Sequence, residues 1–463
     1  MSDERRLWGI VLLICVGSRL ATAIFYIEDP DSLRFALSMI DYDVTMLQPH
    51  FPAYPVFWFL AKATYVVIDR YALSFAVIGG LSTFTIAYYT LQIARLEIRS
   101  TTGAIVVLLL LLNPLLWLMG NRYMPDLMGV AFVLAVYAFA AERDRQGALV
   151  AFVLAGLSLG VKLSYAPMLL PPLLYRLIAE GRRLRFIAAA LLGVAVWLVP
   201  LVAATGWDEL IASASVQTHG HFADFGGTVS TEPNLQERLL RIVEGLWADG
   251  FGLYWPGRHV LTGIAALGLL GVSLVGAKAL YRHLDRSFLL SAPVVGCVVY
   301  LLWIFFFQNV VHKGRHILPL LPFLTLPIAW VFSTAWQRGR IMRLSVVAFA
   351  LSFGAVTLHV VAQHTKPTAV AQVYDHLKTR ETERLVVVST SLMKYYLSSR
   401  GLQAAYIPVK NEEDLAALED IDDAGSLVAV GSPLVGRSPA NTRVFYHNPY
   451  VNRMWPELPV YEY

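Results

Sequence analysis

"PAYPVFWFLAKATYVVI", residues 52–68, is the stretch on which the reading of the whole chain turns. It is apolar but short, opened by Pro52 and Pro55 and interrupted by Lys62. Other apolar runs recur near 7–27, 71–94, 103–119, 124–141, 147–161, 165–180, 186–204, 259–280, 287–308, 316–335 and 341–362. Of the 463 residues, 57% are hydrophobic and only 15% charged, against about 25% charged in a soluble globular chain. Lipid must therefore solvate much of this surface. If 52–68 crosses the bilayer like the other runs, the basic loops alternate between the two faces without bias. If it lies at the outer surface, Arg5/Arg6, Arg95/Arg99, Arg143/Arg145, Arg182/Arg183/Arg185, Arg282/Arg286 and Arg338/Arg340/Arg343 all fall inside, where short cytoplasmic loops are rich in Lys and Arg.

That choice gives a polytopic α-helical membrane protein of about eleven transmembrane helices with external surface helices. Its N-terminus is inside and its C-terminus outside. The opening "MSDERRLWGIVLLICVGSRLATA" imitates a signal peptide. Its apolar run of about 20 residues is nevertheless a full span, so it is read as a retained first helix. Residues 1–362 form the transmembrane part, with a first external loop at 28–70 and a long one at 205–258. Residues 363–463 form a small external α/β domain. There, "ERLVVVST" (383–390) and "GSLVAVGSP" (425–433) read as strands of a parallel sheet. They alternate with the helical-looking 369–381 and 412–421. With no G-x-G-x-x-G and no P-loop, this tail is expected to be structural or docking rather than an active site. Cys15 and Cys297 lie in apolar runs and are not expected to pair. The net charge of +4 implies no nucleic-acid partner.

All the chemically suggestive loops share the outer face. "DPDSLRFALSMIDYDVTMLQPHFPAYP" (29–55) carries Asp31, Asp41, Asp43 and His50, and ionisable residues at a membrane mouth mark a pathway or a site. A carboxylate there is suited to act as general base toward a hydroxyl. The bland alternative is that these acids solvate a loop. His50 sits in a proline-stiffened turn, either as a substrate ligand or as a loop histidine. Three basic clusters stand on the same face: Arg122 beside Asp126, Lys162 within "AGLSLGVKLSYAPMLLPP", and Lys313, Arg315 and His316 in "HKGRHILPLLP". Converging, they would make a phosphate or pyrophosphate site; singly, each is a charge snorkelling to the interface. Arg19, within helix one, is expected to pair with an external acid. In "QTHGHFADFGGT" (217–228), His219, His221 and Asp224 offer metal-ligand spacing without a fourth ligand in register. A glycine-rich lid is the preferred reading of that loop.

Together these pieces resemble the C-type (GT-C) polytopic membrane glycosyltransferases, which include the protein O-mannosyltransferases and the aminoarabinose transferase of lipid A. "DSLRFA" is similar to their D-E-x-x-Y/F-x-x-A segment after helix one, which matches Asp31 to the family's acid. "QPHFPAYPVFW" resembles the H-P-P-G/L-Y turn, with Phe51 and Ala53 as departures. "NPLLWLMGNRYMPDLMGV" aligns Arg122 and Asp126, "GLSLGVKLSYAPMLLP" aligns Lys162, and "GRHILPLLPFL" resembles R-Y-L-L-P-L-L-P with His316 in place of Tyr.

The resemblance spreads over most of residues 1–335. It implies a glycosyltransferase that moves a sugar from a polyprenyl-phosphate-linked donor to a glycan, lipid or protein acceptor at the outer face. The loop acid would be the base, and basic residues would hold the lipid phosphate. It also implies a bacterial inner membrane. Ser32 stands where a second acid is usual, which leaves open whether Asp41 or Asp43 supplies that charge. Divalent-metal dependence stays open as well, because the superfamily contains both kinds. The rival from another class is a lipid-linked sugar flippase, but transporters gather polar groups near the bilayer midplane in repeated halves. Here the charges gather at one face and no halves repeat.

Overall fold

The computed structural model describes residues 2–142, 144–180, 183–281, 286–380, 384–409 and 426–463. Arg143, Arg182, Arg282 and the helical-looking 412–421 lie outside the described residues. The chain divides into two units, Met1–Ala23 with Leu37–Val361 and Ile24–Ala36 with Ala362–Tyr463.

The first unit is helical. Helix Ser2–Ala21 opens it. The deciding stretch forms helix Pro55–Ile68, of 14 residues, about 21 Å long at the α-helical rise and short of a hydrocarbon core of about 30 Å. Phe57 and Ala61 are buried on one side of it, while Phe59, Val66 and Val67 are exposed on the other.

Among the described residues four helices are long and apolar enough to cross a membrane: Tyr71–Ala94, Arg183–Thr205, Gly314–Gln337 and Arg340–Lys378. Thr101–Leu111 and Pro114–Asn121, bent by 50°, add a fifth if they form one span. The bend follows from Pro114, which has no N–H to continue the ladder. Asn113 restarts the helix by accepting from Leu116 N at 3.0 Å. The other apolar runs form shorter helices, among them Asp126–Ala141, Arg145–Leu159 and Ala292–Phe307. By length and composition alone, four or five crossings are identified among the described residues, and the expected count of about eleven is not reached by that measure.

Helices Tyr71–Ala94 and Pro114–Asn121 approach so closely that a Cβ on Gly79 would lie 1.7 Å from Gly120 O. Small residues at such crossings are how apolar helices pack without a hydrophobic drive between them.

The second unit carries a five-stranded sheet of β1 (Leu385–Ser389), β2 (Ala405–Pro408), β3 (Ser426–Val430), β4 (Asn441–Tyr446) and β5 (Glu457–Glu462), ordered β2-β1-β3-β5-β4. β1 pairs in parallel with both β2 and β3, with Val387 opposite Tyr406 and Val428. β5 and β4 add an antiparallel edge, so the sheet is mixed rather than wholly parallel. A short connection permits only an antiparallel neighbour. Val387, Val388, Val428, Ala429 and Val460 form its buried interior.

Candidate functional site

Asp126 begins helix Asp126–Ala141 and is only 1% exposed. Its Oδ1 lies 3.2 Å from Lys162 Nζ and 3.9 Å from Arg315 Nε. Three separate turns thus meet at one carboxylate, and two of the three basic clusters share it as counter-ion. Lys162 reaches it because Gly129 faces it: a Cβ there would sit 2.9 Å from Lys162 Cβ and 2.8 Å from the Tyr165 ring.

Arg315 also donates from Nη1 to Met124 Sδ at 3.0 Å, which ties the third basic turn to the turn before Asp126. His316 is buried beside them, and its carbonyl accepts from Tyr300 Oη at 2.9 Å. Arg122, the C-cap of Pro114–Asn121, is buried, and Lys313 is half-buried. A compact set of cations with one fixed anion suits a ligand of higher negative charge than a single carboxylate. Phosphate oxygens meet that description.

The proline turn joins the same set. Ala53 and Tyr54 both have positive φ, 69° and 50°. Tyr54 thereby sets its hydroxyl 3.0 Å from His50 Nε2 and its ring 5.4 Å from Lys162 Nζ. The sequence carried no signal for the link that Tyr54 makes between His50 and Lys162.

The loop acids separate into different roles. Asp43 Oδ1 accepts from Thr45 N at 2.8 Å, Thr45 Oγ1 at 2.6 Å and Met46 N at 3.3 Å. The Thr45 hydroxyl bond, helped by the two backbone donors, outweighs desolvation and holds its carboxyl below the ordinary value. Asp43 is thus committed to its own turn. Asp41 is exposed. Asp31 lies in the first turn of helix Pro30–Ser38, with its side chain 15% exposed and Oδ1 3.4 Å from Arg34 Nη1. Asp31 belongs to the second unit, and Asp41, Asp43 and His50 belong to the first.

One expectation changes. Arg19 is fully buried, but it lies 4.3 Å over the Trp117 ring and donates from Nη1 to Ser18 Oγ at 3.0 Å. No carboxylate pairs with it among the described residues. Among the described residues, too, no group of three or more His, Cys, Asp or Glu is placed to hold a metal. His219 and Asp224 are exposed and 3.8 Å apart, while His221 Nε2 instead contacts Phe307 O at 2.8 Å. The residues of that loop do not make a metal set.

The loop is moreover clasped. Arg238 donates to Phe305 O at 2.7 Å, Gly227 O at 2.6 Å and Gln308 O at 2.9 Å. It ties the glycine-rich segment to the strand of chain that leads into Lys313–His316.

No family model matches the sequence, and no curated protein matches it. The structure does have neighbours. ArnT from Cupriavidus metallidurans superposes over 100% of this chain and 98% of its own, with TM-scores of 0.53 bound to undecaprenyl phosphate and 0.54 in the apo state. The chain has the fold of ArnT. At 13% identity the likeness is one of fold. A looser match, TM-score 0.46 at 13% identity, is the oligosaccharyltransferase of Archaeoglobus fulgidus, over 91% of this chain and 67% of its own. The ArnT fold and the apolar helices make this an integral membrane protein.

Proposed function

We propose that the protein is a membrane glycosyltransferase that moves a sugar from a polyprenyl-phosphate-linked donor to a hydroxyl acceptor, outside the cytoplasm. The observation that carries this reading is the buried Lys162–Asp126–Arg315 cluster, in a chain with the fold of a protein crystallised with undecaprenyl phosphate. Lys162 and Arg315 hold the lipid phosphate, and Asp126 fixes their positions. The reading of about eleven crossings rests on the basic loops, not on helix length: it is the count that puts them all on one side, with the N-terminus cytoplasmic and the C-terminal unit external.

Asp31 is the general base. It takes the acceptor hydroxyl proton as that oxygen bonds to the anomeric carbon. The bond from that carbon to the phosphate oxygen breaks, and the lipid phosphate leaves as an anion. Lys162 and Arg315 stabilise the charge that develops on it, where fixed donors in a partly dehydrated site act most strongly. Asp43 is a poor base because three donors in its own turn already bind its Oδ1 and stabilise the ionised form. His50, oriented by Tyr54, and Arg122, Lys313 and His316 line the donor side.

The test uses purified protein in nanodiscs with a panel of radiolabelled sugars on polyprenyl phosphate. It scores release of lipid phosphate and transfer of label to a membrane extract. Transfer by the wild type that is lost in Lys162→Met and in Asp31→Asn supports the reading. Movement of lipid-linked sugar across vesicles without donor turnover replaces it with a flippase.

A further inference from the structure

The helix that carries Asp31, and the residues leading into it, are held in the C-terminal unit by Asn452, His364, Thr368, Tyr395 and Tyr396. Asn452, only 5% exposed, donates from one Nδ2 to Glu28 Oε1 at 3.0 Å and to Asp29 Oδ2 at 3.1 Å. Asp29 in turn accepts from Ser32 N on Oδ1 at 2.8 Å, and so caps the turn that contains Asp31. Glu28 is held from the other side by His364 Nε2 at 3.2 Å, and its carbonyl accepts from Thr368 Oγ1 at 2.8 Å. Tyr396 Oη donates to Ile27 O at 2.5 Å. One turn beyond Asp31, Arg34 lies 5.3 Å over the Tyr395 ring and 3.4 Å from the Asp31 carboxylate.

Two buried carboxylates on adjacent residues are costly unless each is hydrogen-bonded. Glu28 is fully buried and Asp29 nearly so. A loop that only had to link two helices would have no need of them. Their placement makes sense if the start of helix Pro30–Ser38 has to be fixed, because every bond named above lands on the residues just before Asp31 or on Arg34 just after it.

We propose that Asn452 and Arg34 are positioning residues for Asp31, and that the C-terminal unit belongs to the catalytic machinery rather than serving as a docking module. Asn452 sets the backbone through Asp29. Arg34, steered by the Tyr395 ring, sets the carboxylate rotamer. The proposal rests on the reading of Asp31 as base.

The experiment compares Asn452→Ala, Arg34→Gln, Arg34→Lys and Asp31→Asn in the full-length protein in nanodiscs. It measures kcat and donor KM separately, alongside thermal unfolding. The expected result is a fall in kcat of about tenfold to a hundredfold for Asn452→Ala and Arg34→Gln with donor KM kept within about twofold, as misplacing a reacting group predicts. Arg34→Lys, which keeps the charge, recovers part of the loss.

Tyr395→Leu, which removes only the ring over Arg34, gives a second route should Asn452→Ala fail to fold; it too lowers kcat at constant KM. If Arg34→Gln and Tyr395→Leu keep wild-type kcat while Asp31→Asn is inactive, the positioning proposal is overturned and the base assignment stands. If Asp31→Asn itself turns over at the wild-type rate, both fall.

Discussion

Lys162 Nζ lies 3.2 Å from Asp126 Oδ1, with the lysine side chain 11% and the aspartate 1% exposed. A buried ion pair of this kind contributes little net stability, but removing one partner leaves an uncompensated charge. Lys162 and Arg315 both face this carboxylate, so a change at Asp126 leaves both cations without their shared counter-ion.

Asp126→Asn is therefore expected to destabilise the protein by about 3–5 kcal/mol, the range for breaking a buried pair. Replacing both partners, as in Asp126→Leu with Lys162→Met, is expected to cost less than Asp126→Asn alone. Thermal unfolding in detergent measures both. A double variant whose loss equals the sum of Asp126→Leu and Lys162→Met measured singly would show that the two residues are not coupled.

Arg315→Lys keeps a cation but not the planar guanidinium that reaches Asp126 and Met124 together. The two side chains are not interchangeable at a site of two contacts. Its kcat/KM for lipid-linked sugar is expected to fall by about tenfold, and that of Arg315→Met by about a hundredfold or more, in line with loss of one charge-stabilising donor. Steady-state release of lipid phosphate checks both.

Gly129→Ala places a methyl in the space that Lys162 and Tyr165 occupy. Overpacking of this kind costs about 1–3 kcal/mol. Here it also pushes Lys162 away from Asp126, so a raised donor KM should accompany the lower unfolding temperature. An unfolding shift with unchanged KM would detach Gly129 from the donor site.

Asp43→Asn is expected to keep activity within about twofold. The asparagine oxygen still accepts from Thr45, and an Asx turn needs no charge. Loss of turnover equal to that of Asp31→Asn would move the base from Asp31 to Asp43.

The C-terminal sheet has its own acid limit. Burial pushes the Glu462 carboxyl up, but hydrogen bonds from His376 at 2.9 Å and Asn441 at 3.1 Å, with the charge of Arg380, outweigh it and hold the group below its ordinary value of 4.5. A depressed folded value means stability that is complete above the unfolded value and lost as pH falls through the folded one. Protection of 441–446 and 457–462 against hydrogen exchange should therefore weaken below about pH 4.5. In Glu462→Gln it should be weaker at neutral pH and change less on acidification.

Much of this was legible in the residues, because the signals concerned are local. The apolar runs, the short helix at 55–68 behind Pro55 and the β-branched segments that became β1 and β3 all report on a few consecutive side chains. Helix length was less legible, since the Asn113–Pro114 break divides a run that hydropathy alone presents as continuous.

By itself, then, the sequence determined that the chain lives in lipid, that most of its charge gathers between the apolar runs, and which of those connecting stretches bear acids or bases. The physical reason is that hydropathy and helix-breaking act over one or two turns of backbone. Tertiary structure alone decided that Asp126 is the shared counter-ion, that Tyr54 links His50 to Lys162, and that residues 24–36 belong with 362–463. Such pairings are set by which distant backbone segments pack together, and a buried charge takes whichever partner that packing brings within about 4 Å.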